Sequence, residues 1–169
     1  RTFGQPSLMD DTTPVGASVF TTLRWDGGRV AWLDEHLNRL RTHAKRLGIA
    51  WPEDFHERLA STSPIGNGDL CQVKLTREGQ IELTLRQTQY PPSPLCAISH
   101  VAPRFTRKAQ GTKHAAWSPY TDARTTAEKA GADIALLVHE GAVVDGDRCT
   151  PILLDSDGVA YAPSTDGGG

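Results

Sequence analysis

The chain is short of cysteine, of long apolar runs and of surplus positive charge, and each shortage removes a class of function. Its three cysteines, Cys71, Cys96 and Cys149, are odd in number and widely spaced, with no CxxC pair. Neither a disulfide framework nor a zinc knuckle is indicated, and a reducing cytoplasm is the expected setting. The longest apolar runs, such as Ile134 to Val138, are strand-sized and far short of a membrane span, so no membrane partner is expected. Eighteen basic residues against 20 acidic ones leave a formal charge of -2, without the positive excess that accompanies nucleic-acid binding. No HExxH, GxSxG or GxxxxGK[ST] motif occurs. His36 and His43 are seven apart and fall roughly on one helical face, but no acidic or cysteine ligand joins them at a ligand spacing, so no metal site is expected.

What is present describes a globular α/β protein. Apolar content of 38% and charged content of 22% over 169 residues suit a buried core, in one ordinary domain or in a small domain plus part of another. Residues 1–14 mix Gly, Pro and paired acids and read as an extended lead-in. Ser18 to Trp25 alternates and is rich in β-branched and aromatic residues, which predicts a strand, and Asp26-Gly27-Gly28 predicts a tight turn into a return strand, Arg29 to Trp32. Leu33, Leu37, Leu40, Ala44 and Leu47 recur at helical spacing, with Asp34 and Glu35 in the first turn, Lys45 and Arg46 in the last, and Gly48 as a stop. A shorter helix from Pro52 through Leu59 and a breaker-rich stretch, Ser61 to Gly68, come next.

Strands are predicted over Asp69 to Thr76, Gln80 to Gln87 and, after the prolines Pro91, Pro92 and Pro94, Leu95 to Val101. The basic, polar stretch that follows carries Arg104, Arg107 and Lys108, which places a linker at 104–112 between a first domain, 1–103, and a second, 113–169. The second domain reads as a helix (Pro119 to Ala130), a strand (Ala132 to His139), a turn, a short strand (Ala142 to Val144), and two further strands, Pro151 to Asp155 and Gly158 to Ala162, around Ser156-Asp157-Gly158.

Three residues carry candidate chemistry, each with an ordinary reading beside it. Lys113 is either a solvated linker charge or an amine nucleophile, which needs its neutral form accessible near other cations or in a low-dielectric site. Arg39, four residues after Glu35, is either half of an exposed helical ion pair or a phosphate clamp whose forked guanidinium makes parallel hydrogen bonds. Asp145, followed by Gly146, is either a type I′ turn or a carboxylate facing a ring nitrogen, where negative charge keeps the ring protonated.

Taken jointly, these segments resemble the class IV aminotransferases, the pyridoxal-phosphate enzymes that include branched-chain and D-amino-acid aminotransferases and aminodeoxychorismate lyase. Gly16 to Arg24 (GASVFTTLR) resembles the family's G-x-G-V-F-E-T-x-R strand, and Leu33 to Leu40 (LDEHLNRL), with Leu47-Gly48-Ile49, resembles its L-x-E-H-x-x-R-L…LGI segment. The likeness continues at Lys113, at Ala123 to Ala127 (ARTTA) with Gly131-Ala132-Asp133, and at Gly141-x-Val143-x-Asp145.

The resemblance implies a small α/β domain followed by part of a larger barrel-like domain, generally in a homodimer. It also implies that Lys113 bonds covalently to pyridoxal 5'-phosphate, that Arg39 holds the cofactor phosphate, and that Asp145 stands where the family places a glutamate against the pyridine nitrogen. The function it implies is a transaminase acting on a small amino acid and a 2-oxo acid. The alternatives are an aminodeoxychorismate lyase, hinted at by Lys113-His114, and a non-catalytic binding or assembly module of the same fold. Ser18 and Thr21 replace the usual Gly and Glu of the early strand, and Thr150-Pro151 stands where an Asn is usual. The L-P-G-x-T-R turn that follows a segment like Tyr161 to Ser164 has no counterpart before Gly169, so the chain is expected to be a fragment of a longer protein.

Overall fold

The computed structural model describes residues 18–26, 29–89, 93–115 and 118–164. The expected lead-in over 1–14, the turn glycines Gly27 and Gly28, Pro91-Pro92 and the Gly167 to Gly169 tail lie outside the described residues. The fold is mixed α/β, as expected, and divides into two compact units, residues 1–89 with 105–116 and residues 90–104 with 117–169.

In the first unit, β1 (Val19–Asp26) pairs antiparallel with β2 (Arg29–Val30) and with β4 (Leu70–Leu75), and β4 pairs antiparallel with β5 (Ile81–Arg86). Side chains alternate along a strand, so Cys71, Val73 and Leu75 point to the core while Gln72 and Lys74 do not. A two-residue strand, β3 (Ile65–Gly66), adds in parallel to β5 inside the stretch that its breakers marked as loop. Close backbone approach explains those breakers. A Cβ on Gly68 would stand 2.1 Å from the Arg86 carbonyl carbon, and Gly68 has φ +138.

Helix α1 (Leu33–Arg46) lies on this sheet with Leu37, Leu40 and Ala44 buried. Its acidic first turn and basic last turn oppose the helix dipole. It closes in a Schellman motif, Gly48 N donating to Lys45 O at 3.2 Å and Ile49 N to Ala44 O at 2.9 Å, with Gly48 at φ 67. Helix α2 (Phe55–Ser61) buries Phe55, which stacks on Trp51 at 3.9 Å.

In the second unit, β6 (Ala97–Val101) runs parallel to β7 (Ile134–His139), which pairs antiparallel with β8 (Ala142–Gly146). Helix α3 (Ser118–Lys129) buries Ala123 and Ala127. A hairpin of β9 (Leu153–Leu154) and β10 (Ala160–Tyr161) completes the unit, each strand shorter than its apolar run suggested.

The compact units are drawn differently from the division expected of the sequence, 1–103, 104–112 and 113–169. Strand β6 belongs with the second unit, because it takes β7 as its parallel partner. The expected linker belongs with the first, because Phe105 and Ala109 join its apolar core and Arg46 Nη2 donates to Arg107 O at 2.9 Å and Gln110 O at 2.7 Å. Of the two readings left open for Asp145-Gly146, the turn is not the one observed. The reversal between β7 and β8 is Glu140-Gly141, with φ 49 and 81, and Asp145 lies within β8 opposite Leu137.

Candidate functional site

Strand β1 and helix α1 position the first group. Val19 and Leu23 enter the core beside Leu37 and Leu40. Thr21, on the same strand face, is fully buried and turns its hydroxyl to the polar margin of α1. Arg39 Nη2 donates to Thr21 Oγ1 at 2.8 Å and to His36 Nδ1 at 3.1 Å, and Thr21 Oγ1 lies 2.8 Å from His36 Nδ1. Arg39 can only donate, so His36 Nδ1 accepts, which leaves the imidazole proton on Nε2 and lets the Thr21 hydroxyl donate to the same nitrogen.

Arg39 therefore does not pair with Glu35. Among the described residues it enters no ion pair, and its partners are neutral. Burial, then the charges of Arg39 and Lys113, hold His36 below the usual histidine range. His43, one helical turn beyond Arg39, is held at about 4 by burial and then by Arg39, Arg46, Lys113 and His114.

Lys113 lies where the chain returns to β1. Residues 113–115 form an antiparallel bridge beside its start, with Phe20 N donating to Lys113 O at 3.0 Å and Ala115 N to Ser18 O at 2.9 Å. The side chain is exposed, with Nζ 5.5 Å from the Phe20 ring centroid, within reach of cation–π attraction. Lys113 N donates to His43 Nδ1 at 3.1 Å, one turn of α1 from Arg39, so the two cations share one electropositive neighbourhood of the first unit and both bear on His36 and His43.

Asp145 belongs to the second unit. It is half-buried, its Oδ1 accepts from Gly146 N at 2.9 Å, and its charge adds to burial in raising the Tyr120 hydroxyl. Two residues on, Asp147 is fully buried. Its Oδ2 accepts from Arg124 Nε at 3.0 Å and its Oδ1 from Ala135 N at 3.3 Å, and its own N donates to Ala135 O at 3.0 Å. That clamp holds the end of β8 against β7 and α3. Gly146 has no room for a side chain there, since a Cβ would meet Cys149 O at 2.5 Å.

Comparison with known proteins places the chain in a family. The model for class IV aminotransferases matches residues 18–169. A solved structure provisionally designated a 4-amino-4-deoxychorismate lyase is 33% identical, with a TM-score of 0.69, over 95% of this chain and 69% of that one. A provisionally designated amino-acid aminotransferase from Mesorhizobium loti is 24% identical, with a TM-score of 0.71, over 90% of this chain and 77% of that one. A fold IV transaminase from Curtobacterium pusillum is 22% identical, with a TM-score of 0.68, over 99% of this chain and 65% of that one. A search of curated proteins found no match. The chain belongs to the class IV aminotransferases, a family of pyridoxal-phosphate enzymes.

The first unit suits that cofactor. A dianionic phosphate needs a cation that no carboxylate has neutralised, and Arg39 is oriented by a hydroxyl and a neutral imidazole alone. An aldehyde needs an accessible amine, and Lys113 is exposed in the same neighbourhood. Sequence reasoning singled out Arg39 and Lys113 but gave Thr21, His36 and His43 no part in the site. The available signal was the spacing of His36, Arg39 and His43 on α1, which puts all three on one face, and Thr21 between Val19 and Leu23 on the core-facing side of β1.

Proposed function

We propose that this chain is the cofactor-holding part of a pyridoxal-phosphate transaminase that moves an amino group between a small amino acid and a 2-oxo acid. The observation that carries the reading is the Arg39 guanidinium, fixed by Thr21 and His36 and in no ion pair among the described residues, one helical turn from the His43 that accepts from Lys113 N. When bound, pyridoxal phosphate supplies an electron-withdrawing ring that stabilises negative charge at the substrate α-carbon. Arg39 binds the phosphate through its fork, and Thr21 and His36 keep that fork aimed. Lys113 Nζ is the amine that would hold the cofactor's aldehyde, and the same amine would carry the proton to and from the substrate α-carbon. On the family resemblance, Asp145 would face the ring nitrogen with its carboxylate, one methylene shorter than the glutamate usual in the family.

A lyase reading is favoured by one observation, the 33% identity to the provisionally designated 4-amino-4-deoxychorismate lyase. Homodimeric assembly and a cytoplasmic setting belong to the same proposal. The family resemblance supports the first, and the free state of Cys71, Cys96 and Cys149 fits the second. No helix among the described residues is long and apolar enough to cross a membrane, and none of their side chains form a metal-binding group.

Incubation with pyridoxal phosphate, borohydride reduction and peptide mass mapping test the reading. It expects visible absorbance and a label on Lys113, both absent in Lys113→Ala. A colourless, unlabelled protein leaves the non-catalytic module in its place. Amino transfer to a 2-oxo acid identifies the transaminase, and release of pyruvate with 4-aminobenzoate identifies the lyase.

A further inference from the structure

Pyridoxal phosphate is a stiff molecule, so the group that grips its phosphate and the amine that meets its aldehyde must keep a fixed separation. Arg39 is fixed by α1, whereas Lys113 lies at the end of a long irregular segment, residues 102–113, and needs an anchor of its own. Both of its backbone groups are held. The bond from Phe20 N to Lys113 O belongs to the bridge beside β1 and would form with any residue at 113. The other bond is specific to a side chain, since Lys113 N donates to His43 Nδ1 at 3.1 Å across 70 residues of sequence. Nδ1 can accept only while it carries no proton. The pKa of about 4 keeps the ring neutral through the neutral range, and the Lys113 N–H selects the tautomer with its proton on Nε2.

We propose that His43 is a positioning residue for Lys113: its Nδ1 ties the lysine's backbone to the helix that carries Arg39, so that one rigid element sets the distance from phosphate grip to amine. This rests on the reading of Lys113 as the cofactor-bearing lysine. No contact between the His43 side chain and substrate or cofactor is required.

Three variants separate this role from simple packing. His43→Asn places an amide oxygen near the position of Nδ1, His43→Gln carries its acceptor one methylene further out, and His43→Leu fills space without accepting. Two quantities are read: hydrogen exchange at the Lys113 amide in the cofactor-free chain, and the rate of borohydride-trapped attachment of pyridoxal phosphate at Lys113. In His43→Leu the amide should exchange about tenfold faster and attachment should slow by about tenfold, the loss expected of one hydrogen bond. Exchange at the Phe20 amide should stay unchanged, and His43→Asn should restore both quantities toward wild type.

Equal losses in Asn and Leu, with the Phe20 amide loosened as well, would mean that His43 only packs, and the proposal is overturned. Wild-type behaviour in Leu overturns it too. If Leu fails to fold, the contrast between Asn and Gln at the Lys113 amide decides the matter. Should wild-type protein show the expected exchange pattern but take no cofactor at Lys113, the functional reading falls while the backbone anchor stands.

Discussion

Arg39 shows how a substitution two elements away can set the charge of a site. Thr21 stands where the family usually carries a glutamate, and a hydroxyl orients the guanidinium without cancelling its charge. Thr21→Val should therefore free Arg39 and weaken pyridoxal-phosphate binding by about fivefold to tenfold, one neutral hydrogen bond's worth. Arg39→Ala should weaken it by about tenfold to 100-fold, the range for a charge-assisted bond, with Arg39→Lys between because it keeps the charge and loses the fork. Absorbance titration of cofactor-free protein checks the order, and equal affinities in Thr21→Val and wild type would remove Thr21 from the site.

The same cluster predicts a pH dependence. His43 titrates at about 4 in the folded chain against 6.5 as its unperturbed value, so between those values the unfolded chain binds more protons. Its contribution is therefore full above the upper value and is lost as pH falls toward the lower. After discounting for a ring that is only half-buried, the loss is on the order of 1–2 kcal/mol. His36 and His114, also held low by burial, act in the same direction, so His43→Asn should flatten the slope without abolishing it. Asp54, Asp69 and Asp155, whose pKa values are lowered by hydrogen bonds, lose their contribution only at more acid pH and leave this window to the histidines. Urea unfolding across the window is the measurement, and an unchanged slope in His43→Asn would contradict the assignment.

At the scale of elements, Asp147 joins α3, β7 and β8 through one carboxylate. It is fully buried, whereas the Arg124 side chain is 38% exposed, so the two partners are not equivalent. Arg124→Ala leaves a buried charge with the more distant Arg148, at 3.8 Å, and should cost about 3 kcal/mol. Arg148→Ala removes the weaker and more exposed contact and should cost less than about 1 kcal/mol. Urea midpoints test the ranking, and equal costs would show that Asp147 does not rely on Arg124.

This network also marks the limit of what the sequence made legible. Helix α1 could be read because its apolar spacing, terminal charges and Gly48 all agree, and the β4 and β5 pair could be read from its alternation. Strand β6 begins two residues later than expected and has other company, since a parallel partner more than 30 residues later leaves no local trace. The glycine of Asp145-Gly146 left a turn open as one of two readings, when it serves close approach to Cys149, and the turn expected between β7 and β8 uses Glu140 at positive φ. Arg39 and Lys113 stood out only because several motifs agreed at once. Thr21, His43 and Asp147 act through tertiary contacts that no local pattern encodes.

At the scale of the molecule, the two units have unequal cores. The first buries Phe55, Leu40, Leu47 and Leu75, while five of the seven residues clustered in the second are alanine, the others being Leu137 and Val144. Stabilisation follows the apolar area removed from water, at roughly 25 cal/mol per Å², so the alanine-rich unit should open first. It also leaves Val101, Ile152, Leu153 and Leu154 exposed. Amides of β7 should therefore exchange faster than those of β4, and urea unfolding should show two steps. One coincident step with equal protection would contradict the division. The same experiment tests whether Asp145 works with Arg39 and Lys113, because a ligand stabilises only what it binds in the folded form, by RT ln(1 + [L]/Kd). If all three residues hold pyridoxal phosphate, adding it should raise both steps and slow exchange in β8 as well as in β1. A rise confined to the step reported by β4, with β8 exchange unchanged, would leave Asp145 outside the site and the first unit as the sole holder of the cofactor.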